Sequence, residues 1–471
     1  MRAEMNTRLT RTDVGTPMGR LLRDYWQPVA LSEQLVGERP LCPVTIMGER
    51  LVLFKTESGQ LALMDRHCAH RGADLCYGRL ENNGLRCPFH GWLYDGHGQC
   101  VETPAEPVES TFHHSIRLRN YPCIERNGVI FAWLGSSEPS ALPELDCLQV
   151  PQSHSFAFKG LMECNWLQAL EVGIDPAHAS YLHRYLVDDD PQDGYGKQFR
   201  DAAHGGNVPI THILREYARP QLSVEPTEYG MRLIARRQLD DEHCHVRITH
   251  QVFPQAIVIP MSREMTITQW HVPVTDTQSY WYAMFTSYDT PCDQELMRKQ
   301  RLALYELPDY KPRIGRHNDY GYNAEEQRTR TYSGMGDDIN VHDQWAVESP
   351  GKIQDRTKEH LGSTDIGIIE NRRRLNRLLR VFDKEAPDSE ASASRDSVGR
   401  QEPEPGDFGE LIAIDVVTQN ENWRANALAA GIEQQHNAGW NAERKNIHRT
   451  TDEAGDSGNE IQQESAGSVK A

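Results

Sequence analysis

Two short stretches of this sequence hold metal-binding residue types at spacings that limit which metals they suit. The first reads CAHRGADLCYGRLENNGLRCPFHGW: Cys68-x-His70, sixteen residues, then Cys87-x-x-His90. Each short loop offers one thiolate and one imidazole. A [2Fe–2S] centre of mixed ligation needs two cysteines on one iron and two histidines on the other. Two loops that each give one ligand to each iron can pinch such a cluster between them. Gly72 and Gly91 follow the ligands and let the backbone turn tightly around the sulfurs. Neutral imidazoles in place of two thiolates raise the reduction potential, which suits a cluster that accepts an electron readily. Zinc also takes two cysteines and two histidines, but its common arrangement pairs Cys with Cys and His with His. The mixed pairs fit the cluster better.

The second stretch, about ninety residues on, reads Glu171-Val-Gly-Ile-Asp175-Pro-Ala-His178-Ala-Ser-Tyr-Leu-His183. Two histidines and a carboxylate on one face of an iron leave its other positions open for oxygen and substrate. His178 and His183 are five apart, which is about 140° around an ideal helix. Both reach one ion only where the helix is irregular or ends between them, and Gly173 and Pro176 make such a path plausible. Asp175 before Pro176 also resembles a helix N-cap with proline at the first position. The bland reading is an amphipathic helix with two half-buried histidines and a capping aspartate. Its company argues otherwise: a cluster that supplies single electrons needs a consumer, and a mononuclear iron is one.

These loops need elements to position them. Met18, Leu21, Leu22 and Tyr25 give a brief helical spacing that stops before Pro28. From Val44 to about Trp133 short β runs alternate with Gly/Asn/Asp turns, as in VTIMGERLVLFKTESGQLALMD, GWLYDGHGQCVET and GVIFAWLG, which predicts a small all-β domain. PSALPELD marks a boundary. NWLQALEVGIDPAHASYLHRYL is helical in parts, and a polar loop runs from Asp188 to about Gly206. Six strand-like runs follow (QLSVEPT, MRLIARRQL, HVRITHQVF, AIVIPM, REMTITQWHV, YWYAMFTSY), predicting a large antiparallel sheet. A helix is expected from Asp365 to Asp383, with Ile368, Leu375, Leu378, Leu379 and Phe382 on one face.

Composition bounds the rest. The 471 residues suit two domains plus a tail, and the 38% hydrophobic content is depressed by that tail. Residues 384–404, rich in Pro, Glu, Ser and Asp, read as a flexible linker. GELIAIDVV and ENWRANALAAGI are able to re-engage the body, and the end, TTDEAGDSGNEIQQESAGSVKA, is expected to be disordered. A formal charge of −18 argues against nucleic acid or an anionic membrane as partner. No apolar run spans a bilayer and no signal peptide is evident, so a cytoplasmic protein is expected. The ten cysteines are mostly scattered singly, which is no disulfide framework.

The paired motifs resemble the Rieske non-haem iron oxygenases, and within them the aromatic-ring-hydroxylating, phthalate-dioxygenase-like group. The resemblance runs from GTPMGRLLRDYWQPVALSEQL through both motifs to EHLGSTD. It implies an α+β chain: an N-terminal segment (1–26), an all-β Rieske [2Fe–2S] domain (27–145), a helix-grip catalytic domain of antiparallel sheet with helices (146–384), and a linker with a largely flexible tail (385–471). It implies one Rieske cluster and one mononuclear Fe(II) per subunit. His178 and His183 match its iron-binding histidines. Asp175 matches the aspartate that connects the cluster of a neighbouring subunit to the iron, which implies a homotrimer or stacked hexamer. Asp365 in EHLGSTDIGII matches the third ligand, with Glu348, Asp355 and Glu359 as rivals. Asn165 and Glu171 fall where partners of the ligands would stand.

The implied activity is dioxygenation: hydroxylation of an aromatic acid such as a phthalate or benzoate with O2, the alternative being oxidative O- or N-demethylation by a monooxygenase. No Gly-rich dinucleotide fingerprint opens a βαβ unit, so NAD(P)H and flavin belong on a separate reductase. An acid substrate wants a buried arginine, and Arg215 and Arg247 are the candidates. An electron-transfer protein would leave the second motif idle, and a zinc-stabilised binding module would explain neither.

Overall fold

The computed structural model describes residues 1–188, 201–261, 264–384, 411 and 413–438. The linker read at 384–404 and the end of the tail lie almost wholly outside these residues. Near the amino terminus, Pro17–Arg23 is a helix with Thr16 as its N-cap and Pro17 in its first turn, so the spacing of Met18, Leu21 and Leu22 describes a real buried face.

The all-β domain is built from three small antiparallel sheets. Leu41–Ile46, Glu49–Lys55 and Leu61–Asp65 form a meander whose alternation buries Val52, Phe54 and Met64. A second meander runs through Arg79–Glu81, Gly84–Arg86, Leu93–Asp95 and Cys100–Glu102. The first cysteine–histidine loop leaves the strand ending at Asp65; the second joins Gly84–Arg86 to Leu93–Asp95. Leu75, Leu85, Trp92 and Tyr94 pack with Cys68 and Cys87 in one apolar cluster between the two. Both loops are therefore tied to a common core.

The second domain begins with β1 (Ser155–Met162), α1 (Trp166–Gly173) and a single turn, α2 (Ala179–Leu182). The six expected strands follow as β2 (Gln221–Pro226), β3 (Gly230–Gln238), β4 (His243–Val252), β5 (Ala256–Pro260), β6 (Met265–Thr275) and β7 (Gln278–Ser287). Later in the chain, after two further α-helices, come α3 (Ile339–Glu348) and α4 (Ile366–Lys384). A strand β8 (Ile414–Gln419) and a helix α5 (Trp423–His436) complete the described chain. The sheet order is β1-β7-β6-β5-β4-β3-β2, with β8 against β4.

Strand β4 explains why the tail returns. Its last residues, His250–Val252, pair with β5, and that leaves His243–Ile248 as an open edge. β8 fills it in antiparallel register, from His243↔Gln419 to Ile248↔Ile414. Ile414 and Val416 point into a cluster with Ile234, Cys244, Val246, Ile248 and Ala427, the last from α5. The stretches GELIAIDVV and ENWRANALAAGI, read as able to re-engage the body, do so within the described residues: β8 joins the catalytic sheet and α5 packs Ala427 against it. Alternating apolar residues on β8 give the physical reason.

Candidate metal centres

The two loops of the first motif have the same backbone design. The Cys68 and Cys87 N–H groups donate to Ala73 and Trp92 carbonyls at 2.9 and 2.8 Å. Each cysteine carbonyl in turn accepts from the glycine four residues on, Gly72 at 2.9 Å and Gly91 at 3.0 Å. Those glycines have φ of +74° and +77°, the left-handed conformation that a side chain would strain. Arg66 grips Asp74 at 2.6 Å and fixes the base of the first loop.

Both cysteines are buried, whereas His70 is exposed and His90 half-exposed, their rings 4.4 Å apart. Two thiols inside and two imidazoles outside is the division that a cluster with one sulfur-ligated and one histidine-ligated iron requires. His70 stacks on Trp92 at 4.5 Å, which holds its plane. The Ala69 N–H donates to the Tyr94 hydroxyl at 3.1 Å, and that hydroxyl lies 3.2 Å from Cys68 Sγ, to which it would donate once the sulfur is a thiolate.

In the second motif α1 stops at Gly173, and α2 is only one turn long. His178 stands just before α2 and His183 just after it. That break resolves the five-residue spacing: the two Nε2 atoms lie 3.2 Å apart. The carboxylate they meet is Asp343, on α3. Its Oδ1 lies 3.2 Å from His183 Nε2 and 3.7 Å from His178 Nε2. Ligand atoms at right angles on bonds of about 2.1 Å stand about 3 Å apart, so one ion fits this triangle. Among the described residues this is the group of three donors able to hold a metal. His178 Nδ1 faces the Asp175 carbonyl, which leaves Nε2 as the free lone pair. Burial and the neighbouring His183 hold His178 below its ordinary pKa, favouring the neutral ring a metal needs. Burial pushes the Asp343 carboxyl up, but His183 and His178 outweigh it and keep it ionised.

Asp365 is elsewhere engaged. Its Oδ2 accepts from the Gly362 N–H at 2.6 Å at the start of α4, so it serves as a helix cap. The rival carboxylates are occupied too. Glu348 accepts from the Tyr320 hydroxyl at 2.9 Å and the Glu163 N–H at 2.8 Å. Asp355 caps Thr357, and Glu359 pairs with Arg372. Among the described residues the carboxylate brought to the two histidines is that of Asp343, and Asp365 is engaged with Gly362.

Asn165 and Glu171 act one layer further out. Asn165 caps α1 and bridges the Thr10 and Asp276 carbonyls at 2.9 and 2.8 Å. Glu171 is buried between Arg356 and Arg372, and Arg372 also holds Glu359. This ionic cluster pins α1 to α4; neither residue touches His178 or His183. Asp175 does stand at the site: its Oδ1 accepts from Ala177 N–H at 2.9 Å and its Oδ2 lies 4.0 Å from His178 Nδ1.

Neither substrate arginine is free. Arg215 is bound by Asp188 and Glu216, each at 2.8 Å. Arg247 pairs with Asp415 of β8 and donates to the Pro260 carbonyl at 2.8 Å. Sequence reasoning missed two buried groups on the sheet. Arg237 on β3 is 1% exposed, donates to the Tyr217 carbonyl and to Ser180 Oγ of α2, and has no partner at Nη1 among the described residues. His271 on β6 is buried with neither ring nitrogen bonded, and burial lowers its pKa to about 4. Arg237 and Asp343 sit in polar surroundings on elements whose signal is burial of polar residues, which sequence periodicity does not report.

An open groove of about 820 Å³ reaches His178 and is lined by Tyr181, Tyr322, Tyr332 and Trp345. No helix among the described residues is long and apolar enough to cross a membrane.

Comparison with known proteins agrees with this division. Residues 25–122 match the Rieske [2Fe–2S] domain model and residues 147–446 the "LigXa C-terminal domain like" model. The 3-chlorobenzoate-3,4-dioxygenase oxygenase subunit of Comamonas testosteroni is 31% identical over 400 residues, covering 80% of this chain and 88% of that protein. The 5,5'-dehydrodivanillate O-demethylase oxygenase subunit of a Sphingobium species is 39% identical over 184 residues, covering 38% of this chain and 43% of that protein. A crystal structure of dicamba monooxygenase bound to 3,6-dichlorosalicylic acid superposes with a TM-score of 0.54 at 19% identity, covering 77% of this chain and 99% of that one. It shares the fold.

Proposed function

Because the chain belongs to the Rieske non-haem iron oxygenases and carries their [2Fe–2S] cluster and mononuclear iron, we propose that it is a cytoplasmic oxygenase component that dihydroxylates an aromatic acid. The observation that carries this reading is the presence of two separate donor sets in one chain: an electron-accepting cluster site and an open three-donor site. Cys68, Cys87, His70 and His90 would hold the cluster, the cysteines on one iron and the histidines on the other. His178, His183 and Asp343 would hold the mononuclear iron, which would supply oxygen activation. Three protein donors leave the remaining coordination positions to oxygen and substrate.

The chain's own residues do the rest. His70 and His90 sit at the domain surface, where an electron can leave by a short path. Asp175 stands beside His178 and is accessible, so the histidine-bearing tip of another copy can meet it. Exposed Phe89 and Tyr77 on that tip and exposed Tyr181, Tyr322 and Tyr332 beside His178 give two apolar surfaces to join head to tail, as in a cyclic homotrimer. A separate reductase feeds the cluster.

The acid is held by Arg237 rather than by Arg215 or Arg247. A buried guanidinium with an unused N–H is costly unless an anion joins it. One other arginine, Arg247, stands near it, so two guanidinium groups share the one carboxylate of Asp415. A substrate carboxylate redresses that balance. His271, neutral and unbonded, is a second polar contact for the ring substituents.

The test is mass spectrometry of products from benzoates, phthalates and methoxybenzoates, incubated with a surrogate reductase and NADH. A gain of two hydroxyl groups with loss of aromaticity is the expected result. Loss of a methyl group with formaldehyde release would overturn dioxygenation in favour of demethylation, the chemistry named for the Sphingobium relative.

A further inference from the structure

His183 presents two ring nitrogens, and only one faces the donor triangle. Its Nδ1 points the other way, at Nδ1 of His342, 3.4 Å distant. The two rings lie nearly parallel, 5.6 Å apart and 22° inclined. His342 is buried at 1% exposure on α3, immediately before Asp343. Its Nε2 lies 2.9 Å from the Gly336 carbonyl.

That carbonyl settles the proton positions. A carbonyl oxygen only accepts, so His342 carries its proton on Nε2, and its Nδ1 presents a lone pair. The facing His183 Nδ1 must then be the donor. His183 Nε2 is thereby left unprotonated and aimed at Asp343 Oδ1 and His178 Nε2. The reasoning also runs backwards: a histidine that ligates through Nε2 has its proton on Nδ1 and needs an acceptor there. His342 supplies one only in this tautomer.

The far end of the chain is fixed as well. Gly336 has φ +77°, and its N–H donates to Glu326 Oε1 at 2.8 Å. The Tyr185 hydroxyl donates to the next carbonyl, Asp337, at 3.2 Å. His178 needs no such relay, because its Nδ1 meets a backbone carbonyl directly. The two histidines therefore reach the same tautomer by different means.

We infer that His342 is a positioning residue that fixes the tautomer and ring plane of His183 through a Gly336–His342–His183 hydrogen-bond chain, so that the mononuclear metal site is preformed. The inference rests on the mononuclear-metal reading above. Two substitutions separate hydrogen bonding from packing. His342→Gln keeps an oxygen acceptor for His183 and an N–H donor for Gly336. His342→Phe keeps the ring shape and loses both.

The experiment is an anaerobic titration of Co(II) into full-length protein whose cluster is intact and whose mononuclear site has been emptied by a chelator. The cluster's visible spectrum reports that each variant is folded. His342→Phe is expected to weaken Co(II) binding roughly 10- to 100-fold and to shift the ligand-field bands. His342→Gln is expected to stay within about threefold of wild type, below that range. Equal binding and an unchanged Co(II) spectrum in the Phe variant would overturn the inference. So would an equal loss in both variants, which would mean packing alone. Should the Phe variant fail to fold, the Gln variant still decides: a tenfold loss there overturns the relay. Wild-type protein that takes up no Co(II) would overturn the metal reading itself, and this proposal with it.

Discussion

Replacing Asp343 by asparagine keeps the size of the side chain and an oxygen at the ligand position, and removes one negative charge. Asp343 Oδ1 sits 3.2 Å from one imidazole nitrogen and 3.7 Å from the other, so an ion touching all three lies about 2.1 Å from that oxygen. Even screened as in bulk water, a carboxylate that close to a divalent ion contributes roughly 4 kcal/mol. That is about three orders of magnitude in Kd, and less screening inside the protein raises it. Asp365→Asn is the matched control. Asparagine three residues after the N-cap Gly362 still offers an oxygen to the Gly362 N–H, so stability is expected to move by only about a few tenths of a kcal/mol and metal affinity not at all. The assay is Fe(II) binding under anaerobic conditions against a competing chelator, with the visible spectrum of the cluster confirming that each variant is folded. The reasoning is refuted if Asp365→Asn abolishes iron binding while Asp343→Asn retains it.

Three further outcomes follow from contacts described above. Tyr94→Phe removes the hydroxyl proton given to Cys68 Sγ, and should lower the cluster potential by on the order of 50 mV, about 1 kcal/mol for one electron; voltammetry that shows no fall would count against that hydrogen bond. Arg237→Gln should cut kcat/KM for an acid substrate by roughly 10- to 100-fold, the worth of a charge-assisted bond, while the corresponding amide or ester is hardly affected; equal losses on both would exclude an acid anchor. Despite burial, His245 and Arg247 hold the Asp415 carboxyl down at about 2. Its stabilisation is therefore complete above the ordinary value near 3.8 and lost as pH falls through about 2, and amounts to about 2 kcal/mol. Hydrogen exchange at neutral pH should show β8 and the His243–Ile248 edge of β4 opening more readily in Asp415→Asn than in wild type, with the difference vanishing as acid removes the wild-type charge; protection unchanged in the variant at neutral pH would show that the strand is held by its apolar face alone.

What could be read in the chain follows the range of the interactions involved. The cluster loops were legible because their chemistry is local: a ligand, a glycine with positive φ and the next ligand lie within a few residues. The strands of the catalytic sheet were legible through alternation, and α4 through its periodicity from Ile368 to Leu379. The third metal donor was not, because Asp343 lies 160 residues from His183 in sequence and only the packing of α3 against α1 brings it near. Asp365 had the stronger local argument, a carboxylate in the first turn of a helix, and in the structure it is engaged with the Gly362 N–H of that turn. The same contrast separates Arg247 from Arg237. Arg247 is on a strand, in the expected domain and half-buried, yet a carboxylate arrives from residue 415 to satisfy it. Arg237 is left with an unused N–H because, among the described residues, no acceptor reaches its Nη1. A site residue is thus marked less by its type than by a bonding requirement its own fold leaves open, and that requirement exists only after distant segments have packed.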